Sequence, residues 1–327
     1  MQKRQLGRDG PFVGAVALGT MNFVDTYGPA EDKESLRCMS ESLEMGVNHL
    51  DTSNVYGMGR AEDLLAQFLK KNRDRVVLSS KAGITRNPDH PFDNSPEFLQ
   101  KALEGSLRRL GTDHIDLYYL HRREAARPIE TVMHTLLRFQ QEGKIGAIGL
   151  SEIAPSTLER ARSVAPVAAV QSEYSLWTRL PELGMLQATQ QAGTAFVAFS
   201  PIGRGVFTTL PPDPAQFDKH DFRRIMPRFD QRNWPYNLAR LKHFADYARD
   251  HGETPAALAI AWVLARAPHV IALPGTRRIE HMSENVRGAS ITLSPEQLAE
   301  IEAILPLGWA HGERYGEAMH RGPEQYC

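Results

Sequence analysis

Eight short apolar runs, each followed by a stretch with helical spacing, constrain this chain more than any other feature. The runs cover residues 13–18, 48–51, 76–81, 115–121, 145–150, 167–171, 195–199 and 270–273, and are rich in Val, Ile, Leu and Tyr. Near-continuous apolar runs of this length suit strands covered on both faces, as in a parallel sheet. Between them, Leu36, Met39 and Leu43 lie three and four apart, and Leu99, Leu103, Leu107 and Leu110 repeat that spacing. Each set forms one face of a helix. Ser95-Pro96, Thr254-Pro255 and Ser294-Pro295 mark helix starts, a hydroxyl capping orphan amides while proline takes the first helical position. Ser294 with Gln297 also fits a capping box.

Strand–helix alternation of this kind predicts a parallel α/β protein. An open doubly wound sheet and a closed (β/α)8 barrel both accommodate it. The count of eight within 327 residues favours the (β/α)8 TIM barrel, spanning 1–327 as one unit. Residues 3–13 contain Gly7-Arg8-Asp9-Gly10, which predicts a small β-hairpin before the first barrel strand. Residues 206–235 hold five prolines and many charges, which predicts a long loop after the seventh strand.

Several function classes fall away. Gly57-Met58-Gly59 and Gly203-Arg204-Gly205 each begin a dinucleotide fingerprint and fail at its last glycine, so no Rossmann site is read. Metal-ligand spacings are missing, and no metal is expected. Lys plus Arg number 38 against 39 for Asp plus Glu, which gives no footprint for nucleic acid. No uncharged apolar stretch approaches ~18 residues, so no membrane span is expected. Two cysteines, Cys38 and Cys327, offer no disulfide framework, and the N-terminus shows no secretory pattern. A cytoplasmic setting is the expectation; the oligomeric state is left open.

Polar side chains collect where the strands end, and in a (β/α)8 barrel chemistry sits at the carboxyl ends. The second run leads into Asp51-Thr52-Ser53-Asn54-Val55-Tyr56, the third ends Ser80-Lys81, and the fourth ends Leu120-His121. Period-two alternation puts Val77, Ser79 and Lys81 on one face, and Leu117, Tyr119 and His121 on one face of the next strand. Asp51, Tyr56, Lys81 and His121 therefore converge at the mouth. An ammonium beside a phenol is expected to lower its pKa from ~10. A carboxylate keeps the ammonium charged and oriented, and an imidazole can hydrogen-bond a substrate oxygen. Such a set suits reduction of a carbonyl, with a proton from Tyr56 and a hydride from a carrier, since no side chain supplies hydride. Schiff-base chemistry on Lys81 is the alternative, and it requires a neutral amine.

In this order, the motifs Asp51–Gly57, Ser80-Lys81 and Asp116–His121 resemble the aldo-keto reductase superfamily, and the stretches Phe199–Val206 and Glu280–Gly288 look similar to its pyridoxal reductase-like and auxin-induced-protein-like branch. The resemblance implies a barrel that binds NADPH without a Rossmann domain, and implies that Asp51, Tyr56, Lys81 and His121 form the catalytic tetrad. It assigns Ser151, Glu152 and Gln171 to the nicotinamide carboxamide and Phe199 to stacking on the ring. Ser200, Ile202, Gly203 and Arg204 match its pyrophosphate segment. Gly275, Thr276, Arg277, Arg278, His281, Glu284 and Asn285 match its adenosine 2′-phosphate and adenine segment, and Thr20 is placed with the cofactor residues. Met21, Asn22, Phe23, Trp177 and Trp309 are candidate substrate walls. The implied function is NADPH-dependent reduction of small aldehydes or ketones. The alternative is a cofactor-binding regulatory subunit with little turnover, resembling potassium-channel β-subunits.

Overall fold

In a computed structural model describing residues 1–326, eight parallel strands form one sheet wound nearly into a closed barrel. The candidate thiol at Cys327 lies outside the described residues, and Cys38 is free and buried. A hairpin comes first, pairing β1 (Lys3–Gln5) with β2 (Phe12–Gly14) in antiparallel register. The barrel strands are β3 (Leu18–Gly19), β4 (His49–Asp51), β5 (Val77–Ala82), β6 (Ile115–Leu120), β7 (Ile145–Ser151), β8 (Ala169–Glu173), β9 (Ala195–Phe199) and β10 (Val270–Leu273). Each pairs in parallel with its neighbours in chain order.

Closure comes from the first strand meeting the last. Val16 and Gly19 bridge in parallel to Ala272 and Gly275, with Ala17 N donating to Ala272 O at 2.8 Å and Ala272 N to Ala15 O at 2.9 Å. The expected run 13–18 is divided: its first residues pair with β1 in the hairpin, and only its end enters the barrel. Leu6 and Val13 of the hairpin pack with Val77, Leu117, Ala169, Ala195 and Ile271 of the interior. The hairpin thus caps one end of the barrel and shields its apolar filling from water.

Six helices connect successive strands: α1 (Asp32–Glu44), α2 (Arg60–Asn72), α3 (Pro96–Leu110), α4 (Ile129–Gln141), α5 (Pro155–Arg162) and α6 (Met185–Ala192). Four more follow β9: α7 (Trp234–Asp250), α8 (Pro255–Ala265), α9 (Ile279–Gly288) and α10 (Pro295–Ile304). The three expected caps form: Ser95 accepts from Phe98 N, Thr254 from Ala257 N and Ser294 from Gln297 N, the last as a full capping box. Helix α8 is apolar on every side and buried from Pro255 to Leu264, as expected of a helix covered all round. Between β9 and α7 the chain makes only short single turns, so the predicted long loop is present. No helix among the described residues is long and apolar enough to cross a membrane.

One glycine shows how tightly the barrel is filled. A Cβ on Gly149 of β7 would lie 2.4 Å from the Tyr119 ring, a spacing no side chain tolerates. Glycine there lets the Tyr119 ring fill the interior beneath the site.

Candidate active site

The register of β4, β5 and β6 builds the centre of the site. Asp51 pairs across from Ser79, and Lys81 from Tyr119. Side chains on one face recur every second residue, so Lys81 rises one step above Ser79 and His121 one step above Tyr119. Lys81, with no solvent exposure, forms a short ion pair with Asp51. Its ammonium also donates to Thr52 O at 2.8 Å and to the Tyr56 hydroxyl at 3.3 Å. Asp51 accepts in addition from Ser79 Oγ and Gln171 Nε2, both at 2.9 Å. Tyr56 sits on a single turn just after β4, and its ring meets His121 edge-on at 5.9 Å between centroids. His121 Nδ1 lies 3.1 Å from Ser53 Oγ, and Nε2 makes no hydrogen bond among the described residues. The four side chains meet, with Lys81 and His121 on the faces that alternation gave them.

The electrostatics follow from burial and charge. Burial opposes charging Lys81, but the Asp51 carboxylate and the Tyr56 oxygen outweigh it and raise its pKa. Burial also raises the Tyr56 phenol; Lys81 pulls it down without cancelling the rise. The expected lowering of the phenol is therefore reversed, because removing water from a phenolate costs more than one cation returns. His121 is held well below its ordinary value, by burial first and then by Arg122 and Lys81. Its imidazole is neutral at pH 7.

A cavity of about 800 Å³ opens over these groups. Asp51, Tyr56 and His121 line one part; Ser151, Gln171, Phe199, Ser200, Ile202 and Arg204 line another. Gly275, Thr276, Arg277, Arg278, His281, Glu284 and Asn285 line the part beside α9. Met21 and Asn22 also reach it. The loop after β9 turns through left-handed backbone at Ser200, Gly203 and Arg204, with φ of 51°, 58° and 59°. That strain is of the kind found at ligand clamps.

Five residues lie elsewhere than expected. Thr20 is fully buried behind the wall and donates to Asp51 O at 3.1 Å. Gly203 is buried and leaves the lining to its neighbours. Phe23 belongs to the core between barrel and helices. Trp177 and Trp309 pack together at 6.2 Å with Phe207, away from the cavity, and Trp309 Nε1 donates to Leu176 O. These large aromatic rings pack on apolar surface inside the molecule and not in the mouth.

Glu152 is a further correction. It turns away from the cavity with φ of 56° and receives Arg314 through two nitrogens, at 3.1 and 2.5 Å, and Glu173 N at 2.7 Å. Beside it, Glu173 pairs with Arg204 at 2.6 Å, and Arg204 also donates to the hydroxyls of Tyr27 and Tyr315 at 3.0 Å. Burial would raise the Glu173 carboxyl, but Arg204, Arg314 and Arg228 bring it below its usual range. These charges dock the C-terminal segment, whose Tyr315 and Met319 complete the cavity wall. Glu324 adds an ion pair to Arg123 and accepts from Ala154 N at 2.7 Å. Tyr27, Arg122, Arg223 and Tyr315 are lining residues that sequence reasoning missed. Arg122 had a signal, since it directly follows His121 at a strand end.

The cavity fits a long polar cofactor at its α9 end. Asn285 is fully buried and lines the cavity, and neither its Nδ2 nor its Oδ1 is hydrogen-bonded among the described residues. A buried amide left unpaired is costly, and a ligand with a donor and an acceptor would relieve it. Among the described residues, the only carboxylate near Arg277 and Arg278 is Glu34, at 3.8 and 3.9 Å, so both retain capacity for an anion. Among the described residues no cluster of side chains could hold a metal ion.

Comparison with known proteins gives a family and a fold. The model of the Aldo/keto reductase family matches residues 15–306. An NADP(+) aldo-keto reductase of Schizosaccharomyces pombe is 34% identical over 320 residues, covering 95% of this chain and 94% of that one. The structure of a glycerol dehydrogenase from Gluconobacter oxydans superposes with a TM-score of 0.82 at 29% identity, covering 93% and 94%. An aldo/keto reductase from Klebsiella pneumoniae, solved with NADP and acetate, gives 0.76 at 26% identity over 97% and 99%.

Proposed function

This chain belongs to the aldo/keto reductase family, and from that premise we propose that it is an NADPH-dependent oxidoreductase reducing aldehydes or ketones to alcohols. The observation that carries the reading is the Lys81 ammonium, which touches both the Asp51 carboxylate and the Tyr56 hydroxyl beside His121. NADPH supplies the hydride when bound. Phe199 would face its nicotinamide ring, and Arg278 with Thr276 its 2′-phosphate, where arginine can clamp with two bonds.

Hydrogen-bond bookkeeping assigns the carboxamide contacts. Ser151 Oγ accepts from Arg122, so its own proton is free to reach the amide oxygen. Gln171 spends a donor on Asp51, leaving its carbonyl oxygen to accept from the amide NH2. Glu152 is withdrawn to Arg314 and takes no part.

Tyr56 is the general acid. Its raised pKa keeps the proton on the phenol across neutral pH, and that proton passes to the substrate's carbonyl oxygen. Lys81, kept charged by Asp51, stabilises the phenolate left behind. Neutral His121, with Nδ1 accepting from Ser53 Oγ, donates to the same oxygen through Nε2, which orients the carbonyl. A charged Lys81 is no nucleophile, which counts against the Schiff-base alternative.

Tyr56→Phe tests this. It should lower turnover by about 10²–10⁴-fold, the usual contribution of a positioned acid. NADPH affinity, read by fluorescence quenching, should barely change. Retained turnover would remove Tyr56 from the chemistry. A carbonyl panel with both nucleotides decides class; bound nucleotide with no turnover on any carbonyl would favour a regulatory role.

A further inference from the structure

We infer that Arg122 is an anion-recognition residue of the cavity, and that the favoured carbonyl substrates carry a carboxylate. The inference rests on the reductase reading and names the substrate class within it. Five arginines line the cavity, and four have acidic neighbours. Arg204 holds Glu173 at 2.6 Å and Arg223 holds Asp221 at 2.7 Å. Arg277 and Arg278, at the α9 end, approach Glu34. Arg122 alone has no ion pair among the described residues, although it borders the reacting groups.

Its hydrogen bonds are one-sided. Nη1 donates to His121 O at 2.6 Å and to Ser151 Oγ at 3.0 Å. Nε and Nη2 donate to nothing among the described residues, although a guanidinium carries five N–H groups in a fixed fork. The stem is held in place: a Cβ on Gly322 would lie 3.1 Å from Arg122 Cδ and 3.3 Å from Nε. The docked C-terminal segment therefore packs against this side chain. The charge is felt at the centre, where Arg122 contributes to lowering both Tyr56 and His121. The cavity's own carboxylates cannot satisfy it, since Asp51 is bound by Lys81 and Glu284 lies on α9. A half-buried cation beside the acid, with unused donors, is complementary to an anionic group on the molecule being reduced.

The test uses aldehydes bearing a terminal carboxylate, over a range of chain lengths, each paired with its primary carboxamide. At the best length the native protein should prefer the carboxylate by about 10–100-fold in kcat/KM, the usual worth of a charge-assisted bond. The ratio should fall to near one in Arg122→Met and be partly kept in Arg122→Lys. Using a ratio within each variant cancels any disturbance of Ser151. Calorimetry with unreactive alkanoates and alkanamides, with and without NADPH, gives a readout free of turnover. The carboxylate's binding advantage should vanish in Arg122→Met. If neutral aldehydes are reduced and carboxylates show no preference at any length, the inference on Arg122 fails alone. If carboxylate binding survives in Arg122→Met, the anion lies against Lys81 and Tyr56 instead, and the inference is overturned. If no carbonyl is reduced, the reductase reading fails, and the calorimetry still decides whether Arg122 binds anions.

Discussion

Replacing Asp51 by Asn leaves a fully buried ammonium without its counter-charge. Lys81 has no exposure, and its remaining partners are a backbone carbonyl and a phenol, both neutral. Breaking a buried pair from one side costs about 3–5 kcal/mol, because the surviving charge stays desolvated. At a urea slope of about 3 kcal/mol/M, that lowers the unfolding midpoint by more than about 1 M. The pH dependence identifies the cause. In the native protein the Lys81 pKa is raised above its unfolded value of ~10.4, so its contribution is full below that value and is lost as pH rises through the folded one. In Asp51→Asn, burial loses the charge that chiefly opposes it and depresses the folded pKa. Stability then rises with pH between the depressed value and ~10.4. The gap between the two proteins should be largest near pH 7 and shrink toward pH 10. The double variant Asp51→Asn/Lys81→Met should recover part of the loss, since it removes both charges. A gap below about 1 kcal/mol at pH 7, or one that widens with pH, would refute the reasoning.

Arg278→Ala should weaken NADPH more than NADH, by about tenfold or more for a lost charge-assisted bond, in fluorescence titrations; equal losses would show that it does not read the 2′-phosphate. His49 is fully buried with its pKa pushed down to about 4, first by burial. The unfolded chain binds that proton near 6.5, so stability is full above about pH 6.5 and falls by roughly 3 kcal/mol as pH drops to about 4. As pH falls across that window the native protein should lose roughly 3 kcal/mol more than His49→Gln in urea unfolding, and parallel curves would contradict the assignment. Gly149→Ala should cost about 1–3 kcal/mol by overpacking against Tyr119, read as a lowered melting temperature; no change would show that the barrel yields there.

The barrel and the four central residues were legible because their signals are local. A strand announces itself by composition, and alternation then states which face Lys81 and His121 share. Residues whose placement depends on distant partners were not legible. Glu152 sits in a motif that points to the cofactor, but Arg314, 162 residues later, draws it away. Trp177 and Trp309 are 132 positions apart and pack on each other, which neither neighbourhood reveals. The phenol's shift runs opposite to the sequence expectation because charge proximity can be read from spacing, whereas the depth of burial needs the packed molecule.

The docked C-terminal segment separates enclosure from chemistry. The family match ends at residue 306, yet Tyr315 and Met319 close the cavity from beyond it. Their anchors are electrostatic contacts to loops, Arg314 on Glu152 and Glu324 on Arg123, not β-strand pairing with the barrel. The four central side chains stand on the barrel strands or just beyond their ends, while the contour of the cavity is partly drawn by an appendage. Sequence change in that appendage would therefore redraw the cavity's outline while the pairing of the strands beneath it stays as it is.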